Sequence, residues 1–175
     1  MTAANDRAVS MARMMARLGA RASTISSNTG LSTVAARRIY LHETGRRPPS
    51  GQHPSSYEWL ESPVARVHSS LYLSFFEPRH RAGLDVCQAA VLAYADYMHA
   101  VEPEIELDFE RAFFISKLLI CSVGKSGRDG FQRRPCVRCG ALYYVGQPQA
   151  ARRQYVCPVC TGRAAAALSI RRRQN

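Results

Sequence analysis

Lysine is nearly missing from this sequence. Only 2 of its 24 basic residues are Lys and the rest are Arg, a bias that a GC-rich genome also produces. No apolar run approaches the roughly 20 residues that a membrane span needs, which excludes a spanning helix. The N-terminal stretch MTAANDRAVSMARMMARLGA carries Asp6 early and has no uninterrupted apolar segment, which excludes a secretory signal. No internal repeat is visible. There is no H-E-x-x-H, no nucleophile elbow and no complete phosphate loop. Gly124-Lys125-Ser126 has the form of such a loop's end, but Leu119 stands where its first glycine is required and no strand precedes it. The five histidines (His42, His53, His68, His80 and His99) are scattered. These absences argue against an enzyme and for a soluble, cytoplasmic chain whose thiols stay reduced.

What is present fits one large domain or two small ones. The chain has 175 residues, and 46% of them are hydrophobic, enough to bury a core. Charge is uneven along it. Residues 1–50 carry net +6, residues 51–124 net −5 and residues 125–175 net +10. Two basic ends around an acidic middle suggest polyanion contacts at both ends and another role between them; a solvated surface with uneven charge is the plainer alternative.

Periodicity predicts a mainly α protein. Val9, Ala12, Met15 and Leu18 recur at helical spacing over residues 6–21. A short helix is expected over 22–28 and a turn at Gly30, which can take the positive φ a sharp turn requires. Ser32 is placed to cap a helix over 33–43 that stops near Gly45. Pro48, Pro49 and Gly51 make 45–56 a loop. Further helices are expected over 64–77, ended by Pro78, then over 84–98 and 108–122. Glu102, Glu104, Glu106, Asp108 and Glu110 crowd the start of the last one, where carboxylates suit a helix dipole. This gives a helical domain over 1–123, a basic linker over 124–135, a cysteine module over 136–163 and a basic tail over 164–175.

Four of the six cysteines, Cys136, Cys139, Cys157 and Cys160, follow C-x2-C-x17-C-x2-C. A two-residue gap lets both thiolates of a pair face one tetrahedral ion, and this spacing fits a zinc site. Residues 141–145 and 153–157 read as two strands of a hairpin that brings the pairs together, as in a zinc ribbon, with Gly140 at a sharp turn. Four cysteines saturate the ion, so the site is structural, with one zinc per chain. An iron–sulfur cluster uses the same donors and stays open as an alternative. A redox C-x-x-C would not explain two pairs. Arg133, Arg134, Arg138, Arg152, Arg153 and Arg163, interleaved with Tyr143, Tyr144 and Tyr155, suit a phosphate backbone, although the tyrosines also fit a packed hairpin face. Cys87 and Cys121 fall on apolar helix faces and are expected to be buried free thiols.

Residues 22–43 have the layout of a helix-turn-helix. Ile25, Leu31, Ala36 and Ile39 would face inward, which leaves Thr33, Arg37 and Arg38 on the outer side of the second helix, toward bases or phosphates. Such helix pairs also occur in proteins that bind no nucleic acid. LGARAS, TGLS, RRIYLHETGRRPPSGQHPSS and Trp59, followed by CVRCG, QPQ and VCPVC, resemble the FlhC family of flagellar transcriptional activator subunits over about residues 10–160. The resemblance implies a mainly helical protein whose zinc is held by Cys136, Cys139, Cys157 and Cys160. It further implies an FlhD-type partner in a hetero-oligomer, binding to promoter DNA of flagellar genes and recruitment of RNA polymerase. A zinc-ribbon nucleic-acid-binding protein without an activator role is the alternative, as is a ribbon that contacts protein rather than DNA.

Overall fold

The computed structural model describes residues 3–56, 58–103, 105–122, 132–146 and 153–164. Residues 165–175 of the expected tail, residues 124–131 of the expected linker, and Arg152 lie outside the described residues. The elements are α1 (Ala3–Arg17), α2 (Ala22–Thr29), α3 (Thr33–Thr44), a 3-10 turn at Glu58–Glu61, α4 (Pro63–Arg81), α5 (Val86–Val101), α6 (Phe109–Ser122), β1 (Gln132–Pro135) and β2 (Leu142–Val145).

The local signals act where the sequence places them. The Ala35 N–H donates to Ser32 Oγ at 3.2 Å and opens α3. Gly30 and Gly45 end α2 and α3 at φ 72° and 66°, in the left-handed region. The Gln88 N–H donates to Asp85 Oδ1 at 2.9 Å, and the Arg111 N–H to Asp108 Oδ1 at 2.8 Å, so α5 and α6 also start on carboxylate caps.

α1, α2 and α3 pack on one another, and α4, α5 and α6 form a second layer joined to them through one core. Ala12, Met15, Ala16 and Ala36 are fully buried at the first group's contacts. Aromatic side chains fill the second: Tyr72 and Phe76 from α4, Tyr94 and Tyr97 from α5, Phe109 and Phe113 from α6. Each tyrosine hydroxyl finds a partner, as burial requires. Tyr72 Oη lies 2.6 Å from Ser116 Oγ, Tyr97 Oη lies 2.8 Å from His68 Nδ1, and Tyr94 donates to the Leu107 carbonyl at 2.7 Å.

Two expectations are corrected. Pro78 does not end its helix; α4 runs on to Arg81. The Arg79 guanidinium donates to the Phe75 carbonyl at 2.7 Å and also pairs with Asp96 of α5, so the turn around the proline is held by side-chain bonds. Residues 153–157 form no strand. β2 pairs instead with β1, antiparallel, with Gln132 opposite Val145 and Arg134 opposite Tyr143. The hairpin therefore wraps the first cysteine pair rather than bridging the two. Tyr155 keeps a single ladder-like bond, accepting from the Val137 N–H at 2.9 Å.

Glu43 of α3 joins α1. Arg17 Nη2 lies 2.7 Å and Arg13 Nε 3.5 Å from its carboxylate. The Arg17 hydrogen bond holds the Glu43 carboxyl below the ordinary carboxylate value, against the opposing effect of burial. A folded-state pKa below the unfolded one gives stability that is present above the unfolded pKa and lost as pH falls through the folded pKa. The α1–α3 contact is therefore expected to loosen in acid below about pH 4.5, the ordinary value for Glu43. Thermal melts of wild type and Glu43→Gln across this range check it: the difference between the two should shrink toward zero as pH falls.

Candidate metal centre and nucleic-acid interface

β1 and β2 present Cys136 and Cys139 on a tight turn that closes at Gly140, where φ is 74°. The second pair sits on consecutive turns after Tyr155, with Gly162 at φ 72°. The four Sγ atoms all lie within 4.8 Å of one another. Cys139 Sγ and Cys157 Sγ are 3.8 Å apart. A tetrahedral ion with metal–sulfur bonds of about 2.3 Å sets sulfurs about 3.8 Å apart, so this edge already has the required length. Backbone donors point at the sulfurs: the Arg138 and Cys157 N–H groups at Cys136 Sγ, 3.4 and 3.3 Å, and the Cys160 N–H at Cys157 Sγ, 3.3 Å.

These donors favour thiolates. Burial pushes the Cys136 thiol up, but the N–H groups of Cys157, Cys139 and Arg138 outweigh it and bring it down to about 6. Cys160 behaves in the opposite way. Its neighbours Cys157 and Cys139 push it up to about 12, because adjacent sulfurs cannot all ionise without a cation among them. The four cysteines form a group that can hold one metal ion. The donor set and its closure fit zinc and leave no position for water.

The module is bound to the helical body. Beneath the sulfurs lies a small cluster of Cys136, Tyr143, Val145, Tyr155 and Cys157, packed against Val67 of α4. The Tyr144 N–H donates to Ser70 Oγ at 3.0 Å, and Tyr144 Oη donates to Glu77 Oε2 at 2.8 Å. All three ribbon tyrosines are buried, so none is a stacking platform for bases. Of the two remaining cysteines, Cys87 is half-buried, and burial raises its thiol to about 11. Cys121 is exposed at the end of α6, against the expectation of burial.

The basic side chains fall into two groups. On α3, Thr33, Arg37 and Arg38 are exposed, while Ile25 and Ala36 are fully buried and Leu31 and Ile39 pack on the core. Val34 and Leu41 are exposed on the same helix. On the ribbon, Arg133, Arg138 and Arg153 are exposed and Arg134 is half-buried. These arginines are partly engaged within the chain. Arg133 Nη1 lies 2.8 Å from Glu77 Oε2, Arg138 donates to the Cys160 carbonyl at 3.1 Å, and Arg134 reaches the Arg153 carbonyl at 3.4 Å.

One residue that positions the α2–α3 pair carries no sequence signal for that role. Glu110 of α6 is buried and reaches back to the start of α2. It accepts from the Arg21 N–H at 2.8 Å and the Thr24 hydroxyl at 2.8 Å, and its Oε2 lies 3.0 Å from His53 Nδ1. Arg21 also donates to the carbonyls of Gly51 and Gln52, so the loop before Trp59 is pinned to the same point.

A family model described as "Flagellar transcriptional activator (FlhC)" matches residues 2–173. The chain is 28% identical over 159 residues to the flagellar transcriptional regulator FlhC of Verminephrobacter eiseniae (strain EF01-2), covering 89% of this chain and 82% of that protein. It is 30% identical over 150 residues to the flagellar transcriptional regulator FlhC of Thauera aminoaromatica, covering 83% and 73%. No helix among the described residues is long and apolar enough to cross a membrane. With a match that spans nearly the whole chain, and with its helical body and four-cysteine module in place, this protein belongs to the FlhC family of flagellar transcriptional activators.

Proposed function

We propose that this chain is the zinc-containing, DNA-binding subunit of a cytoplasmic transcriptional activator. It acts in a hetero-oligomer with an FlhD-type partner, binds promoter DNA of flagellar genes and recruits RNA polymerase there. The observation that carries this reading is the outer face of α3. It is the second helix of a capped helix-turn-helix, and Thr33, Arg37 and Arg38 stand exposed on it. A helix so placed can enter a major groove, with its arginines on phosphates or guanine edges.

The test is an anisotropy titration of the chain, co-purified with its partner, against a flagellar promoter duplex and a scrambled one over a range of salt. Wild type should prefer the promoter. Arg37→Ala combined with Arg38→Ala should flatten the log–log salt slope by about two if both hold phosphates. An unchanged affinity and slope would remove α3 from the interface.

For the ribbon, a second reading has its own support. Arg133 and Arg138 are turned to partners inside the chain, while Val137, Leu142 and Val159 stand 57%, 47% and 58% exposed around the cysteines. Apolar side chains held out on a rigid module suit a protein contact better than a phosphate backbone. On this reading α3 meets DNA and the ribbon meets the partner subunit.

A further inference from the structure

The segment that carries the second cysteine pair and the start of α4 border a cavity of about 300 Å³ that neither the four cysteines nor the α3 face line. Its wall is built from Glu61, Arg66, Gln154, Tyr155, Thr161 and Arg163. Arg66 and Tyr155 are 8% and 3% exposed. Arg66 gives one guanidinium nitrogen to the Glu61 carbonyl at 3.1 Å. Its Nε and the Tyr155 hydroxyl are both shielded from solvent and have no partner within hydrogen-bond distance among the described residues, although the Arg66 guanidinium lies close enough to Tyr155 to favour its ionised form against burial. Only four buried side-chain atoms among those residues lack a partner, and two of them belong to this wall. Buried polar groups are normally satisfied, so two such donors at one cavity mark a place where a missing acceptor binds.

Charge gives the acceptor its sign. Arg66 and Arg163 contribute two cations against the single carboxylate of Glu61. α4 begins here with Pro63 in the cavity wall and no side-chain cap from Ser62, so the positive end of the helix dipole adds to the field of the two arginines. We propose that this cavity binds a phosphoryl group, with Arg163 and Arg66 as its charge partners and the Tyr155 hydroxyl as a further donor. The volume admits the phosphoryl group together with part of the molecule that carries it. That carrier is either the backbone of a DNA duplex or a free phosphate ester. The site stands on its own geometry and does not depend on the promoter-binding role of α3.

Two variants test it without threatening the fold. Tyr155→Phe removes a hydroxyl that bonds nothing among the described residues, and Arg163→Ala changes an exposed side chain. The full, metal-loaded chain is titrated with inorganic phosphate against chloride at matched ionic strength, read by calorimetry and melting temperature. Wild type should bind phosphate and melt higher, while Arg163→Ala should weaken that binding about tenfold, the size of one charge-assisted hydrogen bond. Tyr155→Phe should weaken it less while melting like wild type in chloride. The same proteins are then titrated with duplex DNA. A salt slope lower by about one in Arg163→Ala, with phosphate competing, identifies the DNA backbone as the source. Phosphate binding with an unchanged DNA slope identifies a free phosphate ester. If phosphate binds no better than chloride, or both variants bind it as wild type does, the proposal is wrong. A change in DNA slope alone, confined to Arg163→Ala, also overturns it, since that is the behaviour of an ordinary surface arginine. Failure of the wild-type chain to bind DNA would count against the α3 reading and leave the phosphate arm intact.

Discussion

Cys157→Ser is expected to release the metal and unfold the ribbon while leaving the helical body standing. Cys157 is fully buried, its sulfur is 3.8 Å from that of Cys139, and it accepts the Cys160 N–H. A structural zinc contributes on the order of 10 kcal/mol to a small fold of this kind. The apolar cluster beneath the sulfurs cannot replace it, since two of its five buried members are themselves metal-site cysteines. The main core is different: of its buried residues only Tyr144 comes from the ribbon. Wild type should therefore contain one zinc per chain by elemental analysis and the variant close to none. The helical circular dichroism signal should survive with a lower melting temperature. Chelation of the wild-type complex should act like the mutation, and its size decides between the two ribbon readings. Dissociation of the complex supports a partner contact, and an intact complex with weaker DNA binding supports a DNA contact. A variant that keeps a full equivalent of zinc and melts like wild type would show that these four thiols are not the ligands.

Glu110→Ala should be the most damaging single change within the helical body outside its aromatic core. The carboxylate satisfies the Arg21 N–H, the Thr24 hydroxyl and His53 at once, in a buried position. Removing it leaves those groups without their acceptor, at a cost of about 3 kcal/mol. For a chain of this length that lowers the melting temperature by about 10 °C. On the proposed reading of α3 the effect should reach DNA binding, because Glu110 fixes the start of α2 and α2 packs on α3. Glu110→Gln keeps one acceptor oxygen and should fall between the two. A neutral Glu110→Ala would mean that the loop around His53 and α6 do not position the α2–α3 pair.

The parts legible in the sequence are those set by neighbours along the chain. Ser32, Gly30 and Gly45 fix the boundaries of α2 and α3 through local backbone geometry, and the structure places them as the residues indicate. The cysteine quartet is legible because two pairs at two-residue spacing have one economical geometry, and the four sulfurs do converge. What was illegible depends on partners distant in sequence. Pro78 reads as a helix stop, since nothing local reveals that Arg79 will bond the Phe75 carbonyl and Asp96 of α5. Residues 153–157 alternate like a strand, but the hydrogen-bonding edge of β2 is taken by β1. The acidic run before α6 suggests a helix dipole, and Asp108 does cap α6, but Glu110 serves the opposite layer, across 89 residues to Arg21. Ribbon tyrosines interleaved with arginines look like a nucleic-acid surface until α4 covers them. Tyr144 then becomes the link to Ser70 and Glu77.

That link bears on how long the native state lasts. The bond from Tyr144 to Ser70 closes 74 residues of chain, and the bond to Glu77 closes 67. Helix pairs such as α4 and α5 meet across short loops and are expected to form early, because little chain entropy is lost before contact is rewarded. Docking of the ribbon needs the helix it docks on and a metal in its four-cysteine site, so it is expected to fall on the native side of the folding barrier. Interactions made after the barrier leave the rate of folding nearly unchanged and slow the rate of unfolding. A metal bound in this module should therefore lengthen the lifetime of the folded chain, and its removal should shorten that lifetime without hindering the helices from assembling.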